Sequence, residues 1–242
     1  MKTVPPEGYV LVTGTSRGLG RALVDALCGA GVPVVSVSRQ PGNASGRAEG
    51  PFQARTFSAD ITDTPTVDRE LDRLFGEWGV PAMVVHNAGV LRYRGVQWEE
   101  PEESVRETLD VNITAPVLWV ARIVPEMVKA GLGGQVFLSS TVGRDNRTGW
   151  GSYALSKWAI EALSANLSRE LPEPLYSFTL NPGPVETEMR RKAYPGKDPA
   201  NPRPPAVVAR PMALFFRTLI ERGGRKYNGS KLNLDAIEGG KV

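Results

Sequence analysis

Tyr9-Val10-Leu11-Val12-Thr13-Gly14-Thr15-Ser16-Arg17-Gly18-Leu19-Gly20 is the stretch on which the fold turns. A short apolar run gives way to a glycine-bearing turn. Beyond it Leu19, Ala22, Leu23, Ala26 and Leu27 recur at helical spacing until Gly29 and Gly31 stop the helix. The next run, Pro33-Val34-Val35-Ser36-Val37-Ser38, is too short for a helix and rich in β-branched residues, so it reads as a buried strand. Two strands joined by one helix make a parallel βαβ unit with a right-handed crossover. Lying between strand and helix, the turn lets backbone approach a pyrophosphate and aims the first N–H groups of the helix at it. Its spacing, Gly14, Gly18, Gly20, departs from the commoner G-x-G-x-x-G dinucleotide fingerprint.

The alternation continues along the chain. Gln40 through Pro51 is glycine- and proline-rich and reads as a surface loop. Gln53 to Ala59 forms a third strand ending at Asp60-Ile61-Thr62-Asp63, and Val67, Leu71, Leu74 and Phe75 share one helical face. Ala82-Met83-Val84-Val85 is a fourth strand, running into His86-Asn87-Ala88-Gly89. From Pro101 a long helix is expected through Val105, Leu109 and Ile113 to Met127, with Asn112 inside it and Pro116 bending it. Gln135-Val136-Phe137-Leu138 delivers Ser139 and Ser140. Tyr176 to Leu180 delivers Asn181-Pro182-Gly183-Pro184-Val185-Glu186-Thr187. Pro195 to Pro211 holds six prolines and reads as the least regular region, either a lid or a surface excursion. Val207, Met212, Phe215, Phe216 and Leu219 suggest a further helix, with Pro211 in its first turn or at a kink, and Asn228 to Leu234 a last strand. Every polar cluster falls at the carboxyl end of a strand, where open α/β sheets bind ligands.

The chain of 242 residues is long enough for one sizeable core, and a single domain is expected. A net charge of +3, from 29 basic and 26 acidic side chains, is too small to argue for a nucleic-acid surface. One cysteine, Cys28, and one histidine, His86, exclude an internal disulfide and a Cys/His metal cluster. Cys28 falls on the apolar side of its helix and reads as a core residue. Met1 to Glu7 lacks the apolar core of a signal peptide, and no apolar run approaches the roughly 20 residues of a membrane span. A cytoplasmic location without a membrane partner is the default expectation.

Tyr153 and Lys157 stand four apart, so on a helix their phenol and ammonium address one small volume. A free tyrosine titrates near ~10 and is a slow acid-base catalyst at neutral pH. Bringing it toward ~7 takes roughly 4 kcal/mol, which is about what one cation at ~4 Å supplies at an effective dielectric of ~20, before desolvation is subtracted.

With these pieces in place the chain resembles the short-chain dehydrogenase/reductase family over essentially its full length. The resemblance is carried by Thr13 to Gly20, Asn87-Ala88-Gly89, Val111-Asn112, Ser140, Tyr153 with Lys157, and Pro182-Gly183 through Thr187. It implies an α/β, Rossmann-like doubly wound fold: a seven-stranded parallel sheet with helices on both faces and a nicotinamide cofactor across the strand ends. By position, Tyr153 would pass a proton to or from the substrate oxygen and Ser140 would hold that oxygen. Lys157 would bind the nicotinamide ribose and lower the tyrosine pKa, and Asn112 would position a water in a proton relay. Gly14, Ser16, Arg17, Gly18, Leu19 and Gly20 would cradle the cofactor, with Asn87, Ala88, Gly89, Pro182 and Gly183 around it. Asp60, with Ile61 beside it, would meet the adenine edge, and Val185 and Thr187 the carboxamide. His86 stands where the family commonly has asparagine, and reads as a structural replacement.

The cofactor follows from charge. NAD-binding folds place an acidic residue at the end of the second strand for the ribose 2′-hydroxyl. Here that end is Ser38-Arg39, and Arg17 lies in the glycine turn, so two guanidinium groups suit the 2′-phosphate of NADP(H). The expected function is an NADP(H)-dependent oxidoreductase interconverting a carbonyl and an alcohol. The alternative is a catalytically silent dinucleotide-binding regulator of the same fold. Candidate substrate contacts are Arg144, Arg147, Trp150, Leu91 to Arg94, and Met189 and Tyr194 in a proline-rich loop at about 188–211, with Trp150 reading first as a core ring and Arg147 first as a solvated side chain. The helices around residues 103–130 and 153–170 would pair copies into a homodimer or homotetramer.

Overall fold

The structure is a computed structural model describing residues 8–40, 54–145 and 147–240. The expected surface loop up to Pro51, the beginning of the third strand at Gln53 and the segment Met1–Glu7 lie outside the described residues. The elements run β1 (Val10–Thr13), α1 (Gly18–Gly29), β2 (Val34–Ser38), β3 (Arg55–Ser58), α2 (Thr64–Trp78) and β4 (Met83–His86). They continue as α3 (Glu102–Leu109), α4 (Ala115–Ala130), β5 (Gly134–Leu138), α5 (Gly151–Glu170), β6 (Tyr176–Asn181), α6 (Glu188–Ala193), α7 (Pro205–Arg222), β7 (Lys231–Asn233) and α8 (Leu234–Glu238). The strands form one seven-stranded sheet, order β3-β2-β1-β4-β5-β6-β7, with every pairing parallel.

Strand periodicity sorts the side chains into two cores. Val10 and Val12 of β1 face α1 and α7, meeting Leu23, Leu27, Met212 and Phe216, while Leu11 faces α2 and α4, meeting Leu71 and Ile123. Both sides of the sheet are therefore covered, and β1, β2, β4, β5 and β6 are buried throughout. At roughly 1.5–3 kcal/mol for each fully buried large apolar side chain, these two layers supply the main driving force for the fold. Cys28 is buried in the first layer, as expected of a core residue. The switch in strand order lies between β1 and β4, so the crevice for a ligand opens above their carboxyl ends.

Three expectations change. The long helix from Pro101 is interrupted by a π-helical turn, Asp110–Thr114, and α4 begins at Ala115, so the irregularity precedes Pro116. Proline has no N–H to return to the carbonyl of Asn112 four residues earlier, which loosens the ladder at that turn. The helical path Glu102–Ala130 is also long and apolar enough to cross a membrane by length and composition, unlike the sequence expectation. Its inward residues Trp119, Ile123 and Met127 pack beneath the sheet. The segment 188–211 is not a continuous loop either. Thr187 caps α6 by accepting from the backbone N–H of Arg190, and α7 starts at Pro205, with Pro211 already inside it.

Candidate active site

A cavity of about 880 Å³ lies over the carboxyl ends of β1, β2, β4, β5 and β6. Its floor is the glycine turn. Gly14 has φ +71° and Gly18 φ +59°, and a Cβ on Gly14 would sit 2.6 Å from the Cα of Ala88. Asn87 locks the two turns together, its Nδ2 donating to the carbonyls of Thr13 at 2.8 Å and Gly14 at 3.0 Å. The backbone N–H groups of Asn87 and Ala88 donate to Thr13 Oγ1, both at 3.1 Å. No side chain caps α1 and no acidic residue stands in its first turn, so a diphosphate fits there between close-packed glycines and a positive helix end.

Ser16, Leu19, Gly20, Ser38, Arg39, Asp60, Ile61, Gly89, Pro182, Gly183, Val185 and Thr187 all line the same cavity. Arg39 lies 3.9 Å from Asp60, at the end of the cavity where the adenine was expected. Burial pushes the Asp60 carboxyl up, but hydrogen bonds from Thr62 and the charge of Arg39 more than offset it, leaving the group below its ordinary value. Arg17, also expected at a 2′-phosphate, instead pairs with Glu188 of α6.

Ser140, Tyr153 and Lys157 are brought together on the facing wall. Ser140 caps a 3₁₀ turn, Thr141–Gly143, its Oγ accepting from the N–H of Val142 at 3.3 Å. Lys157 Nζ donates to the carbonyl of Leu138 at 2.8 Å and lies 5.7 Å from the centre of the Tyr153 ring. Burial pulls the ammonium down to about 8, with the charge of Glu161 opposing. Burial pushes the Tyr153 phenol up to about 12, against the pull of Ser140 and of the Arg190 charge. The pull expected of one cation from the sequence left desolvation aside, and in the folded chain burial exceeds the opposing effects, which come from Ser140 and Arg190.

Asn112 does not line the cavity; it braces the wall from behind. Its Oδ1 accepts from Val90 N at 2.8 Å, and its Nδ2 donates to Val90 O at 2.9 Å and Ser156 Oγ at 3.0 Å. Pro116, which has no N–H, makes no bond to the Asn112 carbonyl four residues earlier.

The expected substrate contacts separate. Met189 and Tyr194 line the cavity on α6 and just after it, and Arg147 lines it while pairing with Asp145 at 3.2 Å. Trp150 also lines it but is only 8% exposed. The Arg94 guanidinium lies 3.9 Å from its ring centre, Tyr153 is 5.7 Å away and Tyr194 6.0 Å, so one face is not free to stack on a ligand. Arg144 turns away from the cavity into contacts with Glu161, Thr179 and Asn233. His86 is structural: neutral, buried, stacked 4.4 Å from Phe137 and bonded through Nε2 to Gln135 Oε1 at 2.8 Å.

Glu100 and Glu161 had not been anticipated, and Arg94, expected at the substrate, acts through Trp150 instead. Glu100 caps the start of α5, accepting from the N–H and Oγ of Ser152 at 2.7 and 2.5 Å. Arg94 holds Trp150 against the site and donates to the carbonyl of Gly149. Glu161 stands one turn beyond Lys157 and was legible only as that four-residue spacing.

A family profile described as short chain dehydrogenase matches residues 8–198. An uncharacterized oxidoreductase, YciK, of Escherichia coli K12 is 30% identical, the alignment covering 97% of this chain and 94% of that protein. An NADPH-dependent pterin aldehyde reductase of Arabidopsis thaliana is 30% identical over 76% of this chain and 78% of its own. Among solved structures, a short chain dehydrogenase of Shigella flexneri 2a strain 301, complexed with NADP, superposes with a TM-score of 0.85. It is 26% identical, the match covering 97% of this chain and 100% of that one.

Proposed function

This chain belongs to the short chain dehydrogenase family, and from that premise we propose that it is an NADP(H)-dependent oxidoreductase interconverting a carbonyl and an alcohol, with Tyr153 as general acid and base. The observation that carries the proposal is one cavity in which Ser140, Tyr153 and Lys157 face the uncapped start of α1, with Arg39 and no acidic side chain ending β2. The NADP complex of one similar structure and the NADPH dependence of one relative support the same cofactor.

Bound here, NADPH supplies the hydride. Ser140 orients the carbonyl oxygen through its hydroxyl, and Tyr153 delivers the proton that the oxygen needs once the carbonyl carbon has been reduced. A phenol pushed up by burial is protonated at neutral pH and so has a proton to donate, though the raised value makes it a weaker acid than a free tyrosine. Lys157 holds the ribose hydroxyls and offers positive charge to the phenolate left behind. The backbone carbonyl of Asn112 positions the water that returns a proton to Tyr153. Arg39 binds the 2′-phosphate, joined by Arg17 once it leaves Glu188.

The substrate end is lined by Leu91, Val142, Tyr153, Ala193 and Tyr194, an apolar corner suited to a small or medium ketone or aldehyde. Val117 and Leu118 of α4 and Leu155 and Trp158 of α5 are exposed apolar residues, which supports pairing into a homodimer or homotetramer. A panel of ketones, diketones and aldehydes, followed by loss of NADPH absorbance, tests the enzyme reading. Turnover of at least one is expected; none, with NADPH still bound tightly, would favour a silent regulator.

A further inference from the structure

Glu161 is 2% exposed, on the face of α5 that carries Lys157 one turn earlier. Unpaired, a carboxylate so buried would be strongly unfavourable, and its partners are specific. Arg144 Nε donates to its Oε1 at 2.7 Å, Thr179 Oγ1 donates to its Oε2 at 2.9 Å, and Lys231 Nζ lies 3.8 Å away. Arg144 follows the 3₁₀ turn that Ser140 begins, and its other N–H groups donate to Asn233 Oδ1 at 2.9 Å, Thr179 Oγ1 at 3.1 Å and the Leu232 carbonyl at 3.3 Å. Asn233 Oδ1 also accepts from Asn181 Nδ2 at 3.0 Å, and Asn181 Oδ1 accepts from the N–H of Gly183 at 3.1 Å. One buried network thus ties together the Ser140 turn, the Lys157 helix and the Pro182-Gly183 turn. The contact between the first two is tight, because a Cβ on Gly143 would stand 2.5 Å from the Cβ of Lys157.

We propose that Glu161, clamped by Arg144, is a positioning residue that keeps Lys157 charged and seats the turn bearing Ser140 against the catalytic helix. This rests on the role for Lys157 given above. Besides Glu161, the ring centre of Tyr153 on its own helix lies 5.7 Å from the ammonium, while Arg144 behind the 3₁₀ turn and Lys231 from β7 pair with Glu161 itself. Glu107 of α3 is paired with Arg92, and Arg190 of α6 bears on Tyr153. β5, the π-helical turn and β6 present the Leu138 carbonyl, Asn112 and Thr179, none of which titrates. Among the described residues Glu161 is the negative charge acting on the ammonium, and it offsets part of the burial that drives Lys157 toward neutrality.

The test is titration of Lys157 in the cofactor-free protein by NMR of ¹³Cε-labelled lysine, its signal identified by loss in Lys157→Met. Glu161→Gln is expected to lower the Lys157 midpoint by about one pH unit or more. The alkaline limb of kcat/KM for NADPH should move down with it. An unaltered midpoint overturns the proposal. Glu161→Gln leaves Arg144 buried without its partner, so Glu161→Gln with Arg144→Gln, which removes both charges, is run beside it; a smaller lowering is expected there, because the lost guanidinium had opposed the ammonium, and a midpoint unaltered in both variants overturns the proposal. If the wild type reduced no carbonyl compound, the functional reading would fail while the titration still decided this one.

Discussion

Lys157 Nζ is anchored to the backbone carbonyl of Leu138 at 2.8 Å, which fixes the ammonium to the end of β5 and not to the phenol of Tyr153. A cation so placed is held for a ligand and costs the protein stability, since burial drags it from its ordinary value to about 8. At neutral pH it remains mostly charged and the penalty is in force. Lys157→Met is therefore expected to abolish useful turnover yet raise stability by about 1–2 kcal/mol at pH 7, after allowing for the lost hydrogen bond to Leu138. Urea unfolding of the two proteins checks this; a less stable variant would show that the ammonium is a net structural asset.

Arg39 and Arg17 divide differently from their sequence positions. Arg39 stands beside Asp60 past the end of β2, whereas Arg17 is paired with Glu188 and, on the proposed function, would exchange it for a phosphate. Arg39→Ala should raise the KM for NADPH by well over tenfold and leave that for NADH nearly unchanged, with Arg17→Ala adding a smaller increment. Steady-state kinetics with both cofactors decide it, and equal losses on the two would remove the assignment of the 2′-phosphate site.

His86 makes acid the condition under which the fold weakens. Its imidazole is held down to about 4 by burial, with Gln135 opposing. Below the unfolded value of ~6.5 the unfolded chain gains a proton that the native state refuses until about pH 4. Stability from this residue is thus complete above pH ~6.5 and falls by about 3 kcal/mol as pH drops through that window. Denaturant unfolding at pH 7.5 and 4.5 should show a smaller difference for His86→Asn than for the wild type. An identical difference would assign the acid sensitivity to other groups.

What was legible in the sequence was whatever rests on local pattern. Strand and helix periodicity located β1, β2, β4, β5 and β6 within a residue or two, because each is buried on both faces and reads as an unbroken apolar run. The four-residue spacing of Tyr153 and Lys157 did place both side chains on one face of α5. What was not legible depends on pairs distant in the chain. Nothing local distinguishes Arg144, which finds Glu161 and Asn233 across the fold, from Arg147, which lines the cavity three residues later. Nor does a tyrosine's neighbour reveal how far the chain around it excludes water, and for Tyr153 that term wins. The proline-rich region misled because proline is tolerated in the first turn of a helix, as Pro205 is in α7.

The central claim is that the Tyr153 phenol delivers the proton to a carbonyl oxygen held by Ser140. Its most direct test is a single-turnover measurement of NADPH oxidation by Tyr153→Phe, at saturating NADPH, with a ketone that the wild type reduces. The expected result is a rate lower by at least ~10²-fold, the usual contribution of a positioned general acid, with NADPH affinity unaltered. A rate within a few-fold of the wild type would contradict the account.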